Sequence, residues 1–122
     1  MEQLDGGNDY FSKALKIIQN DITNPSLNNI YLSEKLNISE VYLRKLFKKH
    51  IKTSPRQYII KARMNKALNL LLNNFSVKET AILVGYESVY SFSRAFKDYY
   101  KFSPKQYAQL NLKNNAHEET YL

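Results

Sequence analysis

The sequence predicts an all-α fold of about seven helices, in which two helix-turn-helix modules are joined by a long linker helix. Three observations support this fold. One long segment has helical periodicity with no glycine or proline interrupting it, and a pair of short helical segments separated by a tight turn lies on each side of it. Part of one half of the sequence also recurs in the other half, which indicates an internal duplication.

The chain is basic and contains no cysteine. It has 122 residues, enough for one compact domain or two small modules, and its 18 Lys and Arg against 11 Asp and Glu give a formal net charge of +7. That charge is typical of a protein that binds polyanions. The absence of cysteine excludes disulfides, thiol nucleophiles and cysteine-ligated zinc. No apolar run approaches the roughly 20 residues of a membrane span and no secretory signal pattern opens the chain, so we expect a cytoplasmic protein that does not bind membranes.

The first module is predicted to occupy residues 9–53. Before it, residues 1–8 contain the run DGGN and are interpreted as a polar leader or linker. A first helix over residues 9–22 has apolar residues at helical spacing and stops before Asn24 and Pro25. This helix is interpreted as a scaffold that covers the core.

Two short helices follow, with a tight turn between them. The first is predicted over residues 29–36, and Asn37 can take the left-handed conformation that ends it. Ser39 caps the next helix, residues 40–51. The buried side of that helix is predicted to carry Leu43, Leu46 and Phe47. A helix, a tight turn and a capped helix in this order make a helix-turn-helix.

The linker helix is predicted over residues 54–74. Ser54 can accept hydrogen bonds from the first amides, Pro55 stands where no N–H is needed, and Gln57 can reach back to complete a capping box. The apolar residues cover an arc wider than a surface stripe, which predicts packing against two bodies. They are Ile59, Ile60, Met64, Ala67, Leu68, Leu70 and Leu71.

The duplication gives a template for the second module, residues 75–113. The segment FKKHIKTSPRQY, residues 47–58, recurs in the same register as FKDYYKFSPKQY, residues 96–107. A short helix with a capping box at Ser76 and Glu79 is predicted first.

The remaining elements of the second module follow from the same template. Gly85 is predicted to supply the turn, and Ser88 to cap a helix over residues 89–101. A last helix is predicted from Ser103 and Pro104 to about residue 112. Residues 114–122 are interpreted as a flexible tail.

The pattern over residues 10–110 resembles the DNA-binding domain of the AraC/XylS family of bacterial transcription regulators. In the second half the resemblance is carried by Ala81, Gly85, Tyr86, Ser88, Phe92, Ser93, Arg94, Phe96, Ser103, Pro104 and Tyr107. In the first half it is carried by Ser39, Leu43, Phe47, Tyr58, Arg63, Ala67 and Leu71. Three residues depart from the family pattern: Lys52 replaces a usual glycine, Ser33 a usual alanine, and Thr80 a usual aliphatic residue. We expect local strain of order 1 kcal/mol at Lys52.

The resemblance implies a sequence-specific DNA-binding regulator. It would insert one recognition helix from each module into successive major-groove segments of an extended, non-palindromic site on double-stranded DNA. Such grooves are about 34 Å apart and the linker helix spans about 30 Å, so DNA bending, or engagement of a single module, is a further hypothesis.

The groove-facing positions follow from the resemblance together with helix geometry. The residues expected to contact bases are Val41, Arg44 and Lys45 on the first recognition helix and Val89, Tyr90, Ser93 and Arg94 on the second. The residues expected to contact phosphates are Lys48, Lys49, Ser54, Arg56, Lys97, Ser103 and Lys105. Simpler alternatives remain for each group: a solvated basic face for the cations, helix capping alone for the serines, and a brace for a neighbouring side chain in the case of Tyr90.

Other functions are also considered. The runner-up is a helical protein-interaction module, or a regulator acting mainly through RNA polymerase, which is in any case a candidate partner. Catalysis is not expected, because the only histidines are His50 and His117 and there is no glycine-rich phosphate loop. No cofactor or metal is expected. The isolated domain is expected to be monomeric, and to be either the C-terminal part of a larger effector-sensing regulator or a small single-domain member.

Overall fold

The computed structural model describes the backbone of residues 2–110 and the side chains of residues 9–110. The helices are α1 (Glu2–Asn20), α2 (Asn29–Leu36), α3 (Glu40–Ile51), α4 (Pro55–Leu72), α5 (Val77–Leu83) and α6 (Val89–Tyr100). A seventh helix, α7, begins at residue 104 and is described as far as residue 110. This part of the chain contains no strand, which confirms the all-α prediction. None of its helices is long and apolar enough to span a lipid bilayer.

The chain divides into two compact units, Met1–Arg63 and Met64–Leu122. The division falls inside α4, so the first half of this helix belongs to one unit and its second half to the other. The predicted role of α4 as a linker between two DNA-reading modules stays a prediction.

The first unit has a core built from α1, α2, α3 and the start of α4. The buried apolar residues that cluster together there are Ala14, Ile18, Ile22, Leu27, Leu32, Leu36, Leu43, Phe47 and Ile59. Arg63 is also buried, and its Nη2 donates a hydrogen bond of 2.8 Å to the Asn24 carbonyl. The guanidinium therefore fixes the turn that follows α1, which explains why an arginine stands on the buried side of α4.

The core of the second unit contains a cluster of aromatic rings. Phe92 and Phe96 are fully buried, and the ring centroid of Phe96 lies 4.8 Å from that of Tyr100 and 6.0 Å from that of Phe102. Burial of the Tyr100 side chain raises the pKa of its phenol. The buried aliphatic residues of this unit are Met64, Ala67, Leu71, Ala81 and Val84.

The bounds of α1 differ from the prediction at both ends. The helix begins at Glu2 rather than at residue 9, so Gly6 and Gly7 lie inside it. A glycine in a helix costs only about 1 kcal/mol relative to alanine and does not terminate the helix as proline would. The helix ends at Asn20 instead of residue 22, and residues 21–23 form a turn. Whether residues 1–8 act as a linker stays a prediction.

The remaining predicted bounds agree closely with the structure. Helices α2 and α3 have the predicted bounds, whereas α4 ends at Leu72, two residues before the predicted end. The predicted end of α7 at residue 112 and the predicted tail lie outside the described residues.

The capping box predicted at Ser54 forms only in part. The Gln57 amide donates to Ser54 Oγ at 3.1 Å, but Gln57 Oε1 accepts a hydrogen bond from the Thr53 hydroxyl at 2.7 Å instead of closing the box. The box is complete at Ser103, whose amide donates to Gln106 Oε1 at 2.8 Å. The difference has a local cause, because Phe102 stands where the first copy has Thr53 and offers no hydroxyl to Gln106.

The second helix of each module, α3 or α6, ends at a residue in the left-handed conformation. Lys52 has φ 60° and Lys101 has φ 72°. This conformation carries a steric cost of roughly 1–2 kcal/mol for a residue with a side chain. Each lysine offsets part of it by donating from Nζ to a carbonyl in the last turn of its own helix, Lys52 to Lys49 at 3.5 Å and Lys101 to Asp98 at 2.8 Å.

Candidate nucleic-acid interface

The turn of the first module is closed by backbone hydrogen bonds around Asn37. This residue has φ 57°, its amide donates to the Glu34 carbonyl at 3.2 Å, and the Ile38 amide donates to the Ser33 carbonyl at 3.0 Å. Ser39 then caps α3 by accepting a hydrogen bond of 3.0 Å from the Tyr42 amide. These contacts fix the direction in which α3 leaves the turn.

Helix α3 has one buried side and one exposed basic side. Leu43, Leu46 and Phe47 are buried, as predicted. The predicted base-contacting residues Val41, Arg44 and Lys45 are all exposed, with Val41 at 54% of its full accessibility. The Val41 side chain is therefore accessible for apolar contact with another molecule.

The exposed cations of α3 meet the start of α4 around a concavity of about 290 Å³. It is lined by Arg44, Lys48, Lys52, Thr53, Ser54 and Gln57. Lys48 and Ser54, both predicted phosphate contacts, are thus brought together, and Arg44 lies beside them although it was predicted to contact bases. Arg44 also forms an exposed ion pair with Glu40 at 3.8 Å, a contact worth little because solvent screens it.

Sequence reasoning did not assign Lys52 and Thr53 to the site. Both line this concavity with the predicted residues. Lys52 was considered only as a departure from a glycine pattern. Its place near Lys48 could have been suspected because it directly follows the last turn of α3, four residues after Lys48.

The turn of the second module is closed around Gly85. Its φ is 86°, its amide donates to the Ile82 carbonyl at 3.1 Å, and the Tyr86 amide donates to the Ala81 carbonyl at 2.9 Å. The predicted capping box of Ser76 and Glu79 is present at the start of α5. The Ser76 amide holds the Glu79 carboxylate, which lowers the pKa of Glu79.

Helix α6 brings Tyr90 and Arg94 into direct contact. Arg94 Nη1 lies 3.3 Å from the Tyr90 hydroxyl, and the guanidinium lies 6.0 Å from the ring centroid. Tyr90 is 71% exposed and Val89 is 41% exposed, while Ser93 is half-buried. Tyr90 thus contacts Arg94, as its alternative role as a brace would require, and both side chains lie on the solvent side of the helix. Whether Tyr90 also contacts a base stays a prediction.

The remaining phosphate candidates are distributed over both modules. The exposed ones are Lys49, Arg56, Lys97 and Lys105. Ser103 is half-buried and accepts a hydrogen bond of 3.1 Å from the Gln106 amide, so it caps α7. Among the described residues no group of three or more His, Asp and Glu side chains is arranged to hold a metal ion.

Comparison with known proteins identifies the family. A family described as a helix-turn-helix domain matches residues 32–110. The Msm operon regulatory protein of Streptococcus mutans is 35% identical over 107 residues, which cover 87% of this chain and 38% of that protein. The raffinose operon transcriptional regulatory protein RafR of Pediococcus pentosaceus is 43% identical over 77 residues, which cover 62% of this chain and 28% of that protein. The chain thus spans well under half the length of these curated relatives.

Solved structures agree with this assignment. The C-terminal domain of the two-component response regulator yesN from Fusobacterium nucleatum matches with a TM-score of 0.77 and 37% identity, covering 82% of this chain and 98% of that one. The C-terminal domain of AraT, a response regulator from Geobacillus stearothermophilus, matches with a TM-score of 0.78 and 34% identity, covering 83% and 84%. The chain therefore belongs to the AraC-type family of helix-turn-helix transcription regulators and carries the DNA-binding domain of that family.

Proposed function

We propose that the protein reads an extended, non-palindromic DNA site by inserting α3 and α6 into successive major-groove segments. The observation that carries this proposal is the repeated design of these two helices. Each begins at a serine cap, Ser39 or Ser88, and buries phenylalanine on one side while exposing a basic side. A capped helix with this division presents its first turns to base edges in a helix-turn-helix complex.

The two helices would read bases with different side chains. On α3 we assign Val41 to apolar contact with a thymine methyl group, and Arg44 and Lys45 to guanine O6 and N7. On α6 we assign the base contacts to Arg94, which Tyr90 braces, together with Val89, Tyr90 and Ser93. Because the two faces differ, one chain would recognise two unlike half-sites.

Phosphate contacts would fix the register of the domain on the duplex. In the first module the concavity lined by Lys48 and Ser54 is the strongest candidate, flanked by Lys49 and Arg56. In the second module Lys97, Ser103 and Lys105 would do the same. Cations at phosphates release counterions, so specific binding should weaken steeply as salt concentration rises.

Other features of the proposal concern partners and location. The domain would bind DNA as a monomer in the bacterial cytoplasm, and RNA polymerase is a candidate partner once it is bound. Because the curated relatives extend well beyond the matched part, an attached effector-sensing region belongs to the same proposal.

The decisive experiment is selection of bound sequences from a random duplex pool, followed by affinity measurements on matched variants. Lys45 and Arg94 occupy the same position in the two copies, so Lys45→Ala and Arg94→Ala should each lose about 1–3 kcal/mol of base discrimination, each at a different segment of the site. Lys48→Ala should instead weaken binding to all sequences and reduce the salt slope by about 0.9. Lys16→Ala, an exposed lysine on α1, is the control.

Two outcomes would contradict the proposal. Failure to enrich any sequence would remove sequence-specific reading and favour the interaction-module alternative. Enrichment of a short site that footprints over one groove would limit reading to one module. Circular-permutation gel shifts would test DNA bending. If they show no bend while footprints cover both grooves, the bending hypothesis is excluded.

A further inference from the structure

Two neighbouring rings on α1, Tyr10 and Phe11, contact the recognition helix α3 along its length. The Tyr10 centroid lies 6.2 Å from that of Tyr42, edge to face at 86°. Phe11 lies 5.1 Å from Phe47 and 4.5 Å from His50, where the rings stack at 13°. We refer to Tyr10 and Phe11 as the α1 ring pair.

The three contacts are placed at the beginning, the middle and the end of α3. Tyr42 is in the first turn, directly after the groove-facing Val41, and remains 37% exposed. Phe47 is fully buried in the core, and His50 is in the last turn. A ring pair held at three levels restrains rotation of α3 about its own axis as well as its tilt.

We propose that the α1 ring pair positions α3 for base reading, so that Tyr10 and Phe11 are positioning residues for the first module. A rotation of α3 by about 20° would move the tips of its side chains by about 2 Å, since they lie about 6 Å from the helix axis. Bidentate contacts to base edges require donor and acceptor to meet within a few tenths of an ångström. A small loss of restraint therefore reduces specific binding before it reduces contact with phosphates.

The second module holds its recognition helix differently. Ser91 occupies the position that Tyr42 has in the first copy, and its Oγ accepts a hydrogen bond of 2.9 Å from the Ser88 hydroxyl. The first turn of α6 is thus secured by its own cap. The first turn of α3 has both its Ser39 cap and an aromatic contact from a different helix.

This inference rests on the proposed DNA reading, and its test separates the two. Tyr10→Leu removes the ring and keeps an apolar side chain, while Tyr10→Phe keeps the ring. Dissociation constants are measured at one salt concentration for the selected sequence and for an unrelated duplex. Tyr10→Leu should weaken specific binding about tenfold, the lower range of a lost base contact, with non-specific binding and the salt slope unchanged. Tyr10→Phe should bind within about twofold of the parent protein, since the ring contact is retained.

Ile22→Val is the control, because it removes one methyl group from the same core and leaves the α1 ring pair intact. It should leave the ratio of specific to non-specific affinity unchanged. An unchanged ratio for Tyr10→Leu would overturn the positioning role, as would equal weakening of both kinds of binding. If the parent protein itself shows no preference for any sequence, the proposed function fails instead.

Amide hydrogen exchange in the free protein provides a readout that does not depend on DNA. In Tyr10→Leu the amides of Tyr42 and Leu43, which bond to Ser39, should exchange faster, and in Ile22→Val they should not. If Tyr10→Leu does not fold, Tyr42→Leu replaces it in both measurements. It removes the same contact between Tyr10 and Tyr42 by changing the more exposed partner. Unchanged exchange in the folded variants would contradict the inference.

Discussion

The two helix-turn-helix modules both form their turn at a residue with positive φ, but with different residues and different turn lengths. In the first, Asn37 takes the left-handed conformation and a single residue separates it from the Ser39 cap. In the second, Gly85 takes it and two residues precede the Ser88 cap. Behind the second recognition helix Phe96 packs against the rings of Phe92, Tyr100, Phe102 and Tyr107, whereas behind the first Phe47 packs against those of Phe11 and Tyr58.

This comparison shows which parts of a duplicated module can change freely. The caps and the left-handed helix ends recur because they satisfy backbone groups that every helix leaves unpaired. The exposed faces recur only in part: Lys45 and Arg94 are both basic, but Val41 and Arg44 of α3 correspond to Tyr90 and Ser93 of α6. One scaffold thus presents two different chemical surfaces.

The largest expected effect comes from removing the phenylalanine at the centre of each core. Phe47 and Phe96 are both fully buried at equivalent positions, so replacing either with alanine should cost about 3–5 kcal/mol of unfolding free energy. We expect Phe96→Ala at the upper end, because Phe96 contacts the rings of Phe92, Tyr100, Phe102 and Tyr107, and each aromatic pair adds about 0.5–1.5 kcal/mol. Urea unfolding followed by circular dichroism measures the difference.

The exposed ring of Phe75 provides the control for these two variants. Phe75 is 38% exposed, so Phe75→Ala should lower the unfolding free energy by less than either core substitution. Phe47 also contacts two rings, those of Phe11 and Tyr58. Equal losses for Phe47→Ala and Phe96→Ala would therefore mean that the additional ring contacts of Phe96 add nothing beyond burial.

A smaller effect of opposite sign is expected at Thr80. Thr80 lies five residues before Gly85, and Leu32 lies five residues before Asn37, so the two residues occupy equivalent positions in the two modules. Thr80 and Leu32 are both fully buried. Thr80 Oγ1 has no hydrogen-bond partner within the described part of the chain. Thr80→Val keeps the shape and removes the unsatisfied hydroxyl, so it should raise the unfolding free energy by about 1 kcal/mol.

Ser33→Ala is the matched comparison for this change. The Ser33 hydroxyl donates to the Ile30 carbonyl at 2.9 Å, so its removal should bring no gain. Thermal unfolding of the two variants distinguishes them. A loss of stability in Thr80→Val would show that the hydroxyl does have a partner.

The smallest effect concerns pH and the two capping boxes. Glu79 accepts from the Ser76 amide at 2.9 Å, and this hydrogen bond lowers the pKa of Glu79 below its ordinary 4.5. A lowered pKa in the folded state stabilises the protein above 4.5, and the stabilisation is lost as pH falls through the folded value. The melting temperatures of the parent protein and Glu79→Gln should therefore converge on acidification.

The box at α7 provides the reciprocal test. Gln106 performs the same role there with a neutral amide. Gln106→Glu should give α7 a capping contribution that is lost at acidic pH. A melting-temperature difference between Glu79→Gln and the parent protein that stays constant with pH would contradict the assignment.

The starts of the serine-capped helices were the most predictable feature of this fold. Ser39, Ser76 and Ser88 each cap a helix that begins at the predicted residue or within one of it, because the capping hydrogen bond joins residues three apart in sequence. The exposure of Arg44, Lys45 and Arg94 was also predictable, because helix periodicity places them on the side opposite the buried residues. Their roles toward DNA stay predictions.

Contacts between distant segments were not predictable in the same way. The Arg63 side chain reaches the carbonyl of Asn24, and Phe11 stacks on His50, but no local pattern relates either pair. Two local features were also predicted wrongly. The start of α1 was missed because two adjacent glycines were interpreted as a linker. The Gln57 side chain was predicted to bond to the Ser54 amide, but it accepts a hydrogen bond from the Thr53 hydroxyl.

The contact between Tyr90 and Arg94 bears on the thermodynamics of binding. A free arginine side chain has about 2 kcal/mol of rotamer entropy, part of which is lost when it is fixed on a base. Arg94 is already restrained by the Tyr90 hydroxyl and ring before DNA arrives. The proposed base contact of α6 would therefore form with a smaller entropic penalty than a contact made by an unbraced arginine.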